Sequence, residues 1–408
     1  MIARIALGAF ALASGYAVVR EGAVQAADRN PTAAVAAMKL APSNPQILTL
    51  AARGLLLQTI AAQADGNTPL KTLFPSDSPG LRKAGHLARQ ALKVDITNTE
   101  AIAIHGLATA ARGNARAKTI MNASASLSKR NLTTLLWLVE DAGNRDSVPD
   151  MLSHIDTALR VSASAQAQLF PVLTEVLRNS AIVPDFTDVL EKRPPWAEAF
   201  LYTAITSGVA TTNLAEIYLK LGRRYDYQGQ ELSVLILEQL ISQRNFVKAF
   251  DFGRGITRNP ALGTALVDPH FEKPSAPEPF AWKMVSSADF DAVRSAAREG
   301  RGGIELLSTG TGAGVVARQL LNLAPGAYIF SGSALSGGGE RGVELEWRLR
   351  CAENDAIVGQ VSPFAAKRGR WFVPSDCRYQ WIELYADANR SLSTETLFVE
   401  GVSLAPAQ

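Results

Sequence analysis

The stretch that decides the fold is Val267-Asp-Pro-His-Phe-Glu-Lys-Pro-Ser-Ala-Pro-Glu-Pro-Phe-Ala-Trp282. Before it, apolar residues recur three or four positions apart, the spacing of amphipathic helices. After it, apolar and polar residues alternate between glycine-containing turns, which is typical of antiparallel strands. The sequence therefore predicts an α + β multidomain protein, with an N-terminal helical array followed by a C-terminal antiparallel β-sandwich.

The composition is that of a folded protein with more than one domain. The chain has 408 residues, of which 47% are hydrophobic and 19% are charged. A chain of this length exceeds the usual size of a single core. We predict a helical domain over residues 27–262 and a sandwich over residues 263–408. The net charge of +3 and the scattered basic residues argue against a nucleic-acid partner.

The N-terminus resembles a targeting segment. Arg4 precedes an uncharged apolar run over residues 5–19, and small residues follow up to Ala26. A run of this length suits a signal peptide better than a full membrane span, which needs about 20 residues. Residues 1–26 are predicted to be a cleaved signal or an uncleaved inner-membrane anchor, with a buried helix as the alternative. A cleaved signal or an inner-membrane anchor would each make this an exported, periplasmic protein.

Helical segments are predicted over most of the first part of the chain. They cover residues 46–63, 79–93, 98–112, 115–128, 131–142, 148–160, 163–179, 185–192, 195–207, 211–223, 229–243 and 245–256. Neighbouring pairs sum to about 33–40 residues, the period of helix-turn-helix solenoids. The sequence thus predicts an α-solenoid whose concave surface binds a protein partner. Five aromatic residues either line that surface or pack between repeats: Trp137, Trp196, Tyr202, Tyr218 and Tyr225.

Some of these segments resemble a known repeat family. Residues 39–51 (KLAPSNPQILTLA), Leu219-Lys-Leu-Gly222 and Phe246-Val-Lys-Ala-Phe250 resemble the joints and packing positions of tetratricopeptide repeats. Residues 129–173 and 193–200 resemble exported bacterial tetratricopeptide-like proteins. The resemblance implies a role in surface polysaccharide assembly or export, with no catalytic motif.

Short strands are predicted after Phe280. In Val343-Glu-Leu-Glu-Trp-Arg-Leu-Arg-Cys351 the apolar residues share one face and the charged residues share the other. Residues 303–308 and 314–321 are predicted to be strands joined by a hairpin turn at the glycines of Thr309-Gly-Thr-Gly-Ala-Gly314. A nucleotide-binding loop is excluded because no helix is predicted to follow these glycines.

The order of motifs in this part resembles the jelly-roll carbohydrate-binding modules. The matching elements are Asp268-Pro-His-Phe-Glu272, Phe280-Ala-Trp282, Gln319-Leu320, Pro325-Gly-Ala-Tyr328 and Glu400-Gly-Val-Ser-Leu404. The resemblance implies a jelly-roll fold. It also implies a structural calcium ion held by Glu272 and Glu400, because calcium prefers oxygen ligands. No other cofactor is expected.

Two cysteines, Cys351 and Cys377, fall in the predicted β region. An even number of cysteines in an exported protein favours a disulfide, and two buried free thiols are the alternative.

The predicted ligand surface lies on two strands. If Ile382 and Leu384 face the core, an aromatic strip faces outward. The candidate glycan-binding residues are Tyr379, Trp381, Glu383 and Tyr385 on one strand, with Glu346 and Arg348 on another. The alternative is that the strip packs against the helices or another strand.

Three functions are consistent with this sequence. The first is a non-catalytic envelope scaffold that binds a protein through its repeats and a glycan through its sandwich. The second is a purely structural envelope protein whose β domain binds no sugar. The third is a glycan-modifying enzyme that uses two of the carboxylates Glu272, Glu346 and Glu383, because glycosidases need paired acids. The sequence favours the first. We also expect the helices and the sandwich to pack together without a free linker.

Overall fold

The computed structural model describes residues 34–35, 37–38, 41–63, 76–222, 225–296, 302–308, 311–336, 342–364, 368–388 and 395–407. Within these ranges, twelve α-helices are followed by two five-stranded antiparallel sheets. The predicted α + β fold with a β-sandwich is confirmed. The predicted signal or anchor at residues 5–19 lies outside the described residues. Within those residues, every helix is too short or too polar to span a bilayer.

The helices match the predicted segments closely. They are α1 (Pro45–Gln63), α2 (Pro79–Leu92), α3 (Thr99–Ala110), α4 (Arg116–Leu127), α5 (Leu132–Asn144), α6 (Val148–Val161), α7 (Ser164–Val176), α8 (Val183–Glu191), α9 (Ala197–Ser207), α10 (Thr211–Leu221), α11 (Leu232–Ser242) and α12 (Phe246–Thr257). A 3₁₀ turn, Ser180–Ile182, precedes α8. A small hairpin of β1 (Asp226–Tyr227) and β2 (Gln230–Glu231) precedes α11.

Capping residues explain where many helices begin and end. Asn98 and Asn131 accept backbone N–H bonds at the start of α3 and α5, each at 3.0 Å. Asn245 does the same for α12. Side-chain caps of this type contribute about 1 kcal/mol each. Helix α10 ends at Gly222, whose φ of +61° is costly for a residue with a Cβ atom.

Consecutive helices pack against each other in the first part of the chain. The closest neighbours are α1 with α2, α2 with α3, α3 with α4, and α5 with α6. Among the aromatics considered for a binding surface, Trp196, Tyr218 and Tyr225 are buried, so they serve packing. The Trp196 indole also donates to Asp156 at 2.9 Å. The tetratricopeptide assignment stays a prediction.

Two sheets form the β-sandwich. The first sheet has the strand order β3-β6-β11-β8-β9 and the second has the order β10-β7-β12-β5-β4. The strands are β3 (Lys283–Met284), β4 (Phe290–Ala296), β5 (Gly302–Ser308), β6 (Ala313–Leu321), β7 (Gly326–Ser336), β8 (Glu344–Cys351), β9 (Ile357–Val361), β10 (Arg368–Val373), β11 (Gln380–Asp387) and β12 (Glu395–Pro406).

The connection between β5 and β6 differs from the prediction. The glycine-containing segment that ends at Gly314 was expected to be a hairpin turn, but β5 belongs to the second sheet and β6 to the first. The expected hairpin is therefore wrong. Within the described part of this segment, the Gly312 carbonyl accepts a bond from the Ala388 amide at 3.0 Å. The segment carries the chain across the sandwich, as Greek-key connections do.

Aromatic side chains fill the space between the two sheets. Trp282 and Trp347 are fully buried, and Phe330 stacks on Trp371 with ring centroids 4.2 Å apart. At Gly359 a Cβ atom would lie 2.2 Å from the Trp371 ring, so β9 reaches this core only with glycine there. Burial of such rings is a main source of stability in a sandwich.

By internal contacts the chain divides into two compact units, Met1–Phe200 and Leu201–Gln408. Helices α10, α11 and α12 belong to the same unit as the sandwich. In this unit Phe250 of α12 packs on Phe280 and on Tyr379, with centroids 4.9 and 5.0 Å apart. The Asn322 amide also donates to the Gly263 carbonyl at 2.8 Å. The predicted domain boundary between residues 262 and 263 stays a prediction.

Candidate ligand-binding face of the β-sandwich

Five of the six predicted glycan-binding residues lie on the outer face of the first sheet, which we call the paired face. They are Glu346 and Arg348 of β8 and Trp381, Glu383 and Tyr385 of β11. The strand register places Glu383 of β11 between Arg318 of β6 and Arg348 of β8. Glu346 lies opposite Tyr385 in the next row. Strand alternation produces this arrangement, because Trp347, Ile382 and Leu384 point into the core.

Glu383 is the centre of a charge network on the paired face. Its carboxylate accepts two bonds from Arg350, at 2.9 Å from Nε and 2.5 Å from Nη2. The Glu383 side chain is only 3% exposed. The hydrogen bonds with Glu383 raise the pKa of the Arg350 guanidinium above its ordinary value. This two-point geometry is the strong form of an arginine–carboxylate pair.

The network extends to the loop between helices α11 and α12. Arg350 also pairs with Asp355 in the turn between β8 and β9. Arg244, between α11 and α12, bonds Asp355 at 2.5 Å and the Glu353 carbonyl at 3.0 Å. The hydrogen bond from Arg244 holds the pKa of the Asp355 carboxyl below its ordinary value. Arg244 and Asp355 are loop residues without a periodic pattern, so nothing in the sequence marked them.

One end of the paired face is covered by helices α11 and α12. Trp381 is 5% exposed and Tyr379 is 4% exposed. Tyr379 contacts Phe246 and Phe250 of α12, and Arg318 lies over the Trp381 ring at 4.7 Å. Burial raises the pKa of the Tyr379 hydroxyl. Trp381 and Glu383 were expected in an outward strip, but both are buried. Ligand binding by these two residues and by Tyr379 stays a prediction.

The other end of the paired face is open. Its cavity has a volume of about 540 Å³ and is lined by Glu344, Glu346, Arg348, Ser362, Phe364, Tyr385 and Asp387, together with Val343 and Leu345. The Arg348 guanidinium lies 3.6 Å from the centre of the Tyr385 ring and also bonds Glu346. We call this site the open cavity. The alternation of inward and outward residues along β11, which predicted that Tyr385 faces outward, also predicts that Asp387, two residues later, lies on the same face.

The arrangement at the open cavity suits a polar ligand with some apolar surface. It brings together an aromatic ring, a guanidinium, a carboxylate and the hydroxyl of Ser362. Ligand pockets commonly have volumes of about 300–1,000 Å³ and a few convergent polar groups. Three predicted residues, Glu346, Arg348 and Tyr385, meet there.

The residues predicted to bind calcium lie at other places in the sandwich. The Glu272 amide donates to the Asp268 carboxylate at 2.7 Å, and the Ser333 hydroxyl donates to Glu400 at 2.6 Å. Among the described residues, the cluster of three side chains of the types that can hold a metal is Cys351, Glu353 and Cys377, and its two cysteines form a disulfide. Neither Glu272 nor Glu400 belongs to it, so calcium binding stays a prediction.

A disulfide lies at the covered end. It joins Cys351 at the end of β8 to Cys377 before β11, with their Cα atoms 5.5 Å apart. Both residues are buried. The Glu353 carboxylate beside it accepts a bond from the Tyr379 amide at 3.0 Å.

No family model matches the sequence, and no curated protein matches it. Among solved structures, the chain is similar to a carbohydrate-binding module, TmCBM61, in complex with beta-1,4-galactotriose. The two chains are 12% identical, the TM-score is 0.22, and the match covers 31% of this chain and 88% of that chain. A similarity of this size carries no argument about function.

Proposed function

We propose that the protein is a non-catalytic glycan-binding protein of the cell envelope, in which the open cavity of the β-sandwich contacts the sugar. The proposal includes a periplasmic location, a protein partner on the helical part and a role in surface polysaccharide assembly or export. It treats residues 5–19 as the export signal or anchor.

The observation that carries the proposal is the chemistry of the open cavity. Tyr385 offers an aromatic ring, and Arg348 and Glu346 offer a donor and an acceptor beside it. Sugars combine apolar C–H faces with hydroxyl groups, so they need both kinds of partner in one place. Aromatic and arginine side chains are also the residue types that dominate binding energy at interfaces.

The state of the carboxylates supports binding over catalysis. Glu383 is engaged at two points by Arg350, and Glu346 is engaged by Arg348. Glu272, the third acid considered for an enzyme, lies in the segment before β3 and its side chain is exposed. A glycosidase needs one acid to protonate the leaving group and a second to act as base or nucleophile. Carboxylates fixed by arginine suit recognition better than proton transfer.

A purely structural role is the second candidate. The burial of Tyr379 against α12 and of Trp381 under Arg318 favours it, because both rings are then withdrawn from solvent. Tyr385 and Arg348, which are not covered in this way, distinguish the two candidates.

The test is affinity electrophoresis of the full chain in gels that contain galactan, β-glucan, dextran or polygalacturonate. We expect one of these polymers to retard the chain, and Tyr385→Ala and Arg348→Ala to weaken the affinity by about tenfold or more. Tyr227→Ala is the matched control, because that tyrosine lies on the β1–β2 hairpin beside Tyr202. Retardation by no polymer, or equal retardation of Tyr385→Ala and the control, would favour the structural role.

A further inference from the structure

The outer face of the second sheet, which we call the unpaired face, presents an arginine pair and an aromatic ring. Arg368, Arg370 and Phe372 alternate with Gly369, Trp371 and Val373 on the edge strand β10. The first three side chains are exposed, and Trp371 and Val373 are buried. Residues two positions apart on a strand lie about 7 Å apart, so the three groups form one row along the strand.

The guanidinium groups of Arg368 and Arg370 are unpaired among the residues that the structure describes. Within the described part of the chain, neither Arg368 nor Arg370 makes an ion pair or a side-chain hydrogen bond. Glu400, an acid on the same sheet, is engaged by the Ser333 hydroxyl. A guanidinium presents five donors in a planar fork that matches a carboxylate. Two adjacent unpaired forks favour an anionic ligand.

Phe372 adds an exposed apolar ring to this row. Its exposed fraction is 62%, and Ile329 on the neighbouring strand is 38% exposed. The residue opposite Phe372 is Ala327, and the residue opposite Ile329 on β12 is Ala405. The Phe372 ring therefore lies opposite a small residue, and its exposed surface is accessible to a sugar ring.

Serine hydroxyls complete the face. Ser331 lies opposite Arg368 and also opposite Ser403 on β12. The two hydroxyls are 2.8 Å apart and bond each other. Each hydroxyl has one donor and two acceptor positions, so the pair keeps capacity for a ligand.

We infer that the unpaired face binds an acidic polysaccharide, whose carboxylates pair with Arg368 and Arg370 while a sugar ring packs on Phe372. The inference deepens the proposed glycan-binding function, on which it rests, by naming the class of glycan. It uses a different surface from the open cavity.

Two other anionic partners fit less well. A membrane surface requires a larger contiguous apolar patch. Here the large exposed apolar residues of the sheet are spread over three strands: Phe372 on β10, Ile329 and Leu335 on β7, and Val293 on β4. A nucleic acid requires a broader basic surface, and the whole chain carries a net charge of only +3.

The test uses affinity electrophoresis of the full chain in polygalacturonate and in alginate, with neutral dextran as the comparison. We expect retardation by the acidic polymers, and a loss of affinity of about tenfold for Phe372→Ala and for the double change Arg368→Ala with Arg370→Ala. The matched controls are Ile357→Ala, an exposed apolar residue of β9, and Arg130→Ala, an exposed arginine of the other compact unit. Binding should weaken as salt rises, because screening shortens the reach of charges from about 10 Å at 0.1 M to about 3 Å at 1 M.

Each outcome separates this inference from the proposed function. Loss of acidic-polymer affinity in the Arg368/Arg370 and Phe372 variants supports the unpaired face, whether or not Tyr385→Ala also weakens binding. Loss in Tyr385→Ala alone overturns the inference and leaves the proposed function standing. Retention of the chain by phosphatidylglycerol vesicles but by none of the polysaccharides overturns both.

Discussion

The two outer faces of the β-sandwich use charge in opposite ways. On the paired face, Arg350 is bound to Glu383 and Asp355, and Arg348 is bound to Glu346. On the unpaired face, Arg368 and Arg370 have no such partner among the described residues. The difference separates the charges of the covered end, which hold the protein together, from the exposed arginines of the unpaired face, which remain available to a ligand. Arg348 and Glu346 line the open cavity and can contact a ligand there.

The covered end of the paired face behaves as an interior. Glu383 is buried, and a buried ion pair is costly to break because the remaining charge has lost its hydration. Exposed and unpaired arginines contribute little to stability. Stability measurements should therefore respond to the covered end of the paired face, and binding measurements to the open cavity and the unpaired face.

The largest expected effect on stability comes from removing the cover of the paired face. Phe250 is fully buried against Tyr379 and Phe280. Phe250→Ala should lower the free energy of unfolding by about 4 kcal/mol, since it removes packing and leaves a cavity. Urea unfolding measures the change. The control is Val247→Ala on the same helix, where the side chain is 44% exposed and the loss should be small. Equal losses in the two variants would mean that α12 does not pack on the sheet.

A smaller effect should follow from breaking the buried ion pair. Glu383→Gln should lower the free energy of unfolding by about 3 kcal/mol, because it leaves the Arg350 charge without its partner. This is the lower end of the range for a buried pair, since the Arg350 side chain is still 23% exposed. Arg370→Ala on the unpaired face should change it by less than about 0.5 kcal/mol. Chemical denaturation of both variants compares the faces directly. Similar losses in the two variants would remove the distinction between the faces.

The smallest effect concerns Asp355 at the exposed end of the charge network. The hydrogen bond from Arg244 holds the pKa of this carboxyl below its ordinary value. Its contribution to stability is therefore present above the pKa of the unfolded chain and is lost as the pH falls through the lower folded value. Arg244→Ala should raise the pKa of Asp355 in an NMR titration. An unchanged pKa would show that Arg350 alone holds the carboxyl.

The sequence predicted the positions of the helices and strands better than it predicted which helices and strands contact each other. The helices and most strands follow from periodicity, because burial on one face imposes a spacing that a sequence displays. Strand β4 (Phe290–Ala296) was missed, since its alternation of Phe290 and Ala292 with polar residues is short and runs into an alanine-containing segment. The β5–β6 hairpin was wrong because strand spacing does not say which sheet a strand joins.

The candidate site shows the same limit. Alternation identified the outward residues of β8 and β11, among them Arg348 and Tyr385. It did not predict that α12 covers Tyr379, because that contact joins residues far apart in the sequence. Phe372 alternates with buried neighbours and was recognisable as outward, but the alternation does not show that the residue opposite it is the small Ala327.

Hydroxyl-radical footprinting of the full chain with and without polygalacturonate, read by mass spectrometry, tests the central claim most directly. The claim is that the outer faces of the sandwich bind glycan through the side chains left accessible. We predict that the polymer lowers the oxidation of Phe372 and of Tyr385, and leaves Tyr227 unchanged. A chain that is retained by the polymer, but whose Phe372 and Tyr385 are oxidised equally in both conditions, would contradict the account.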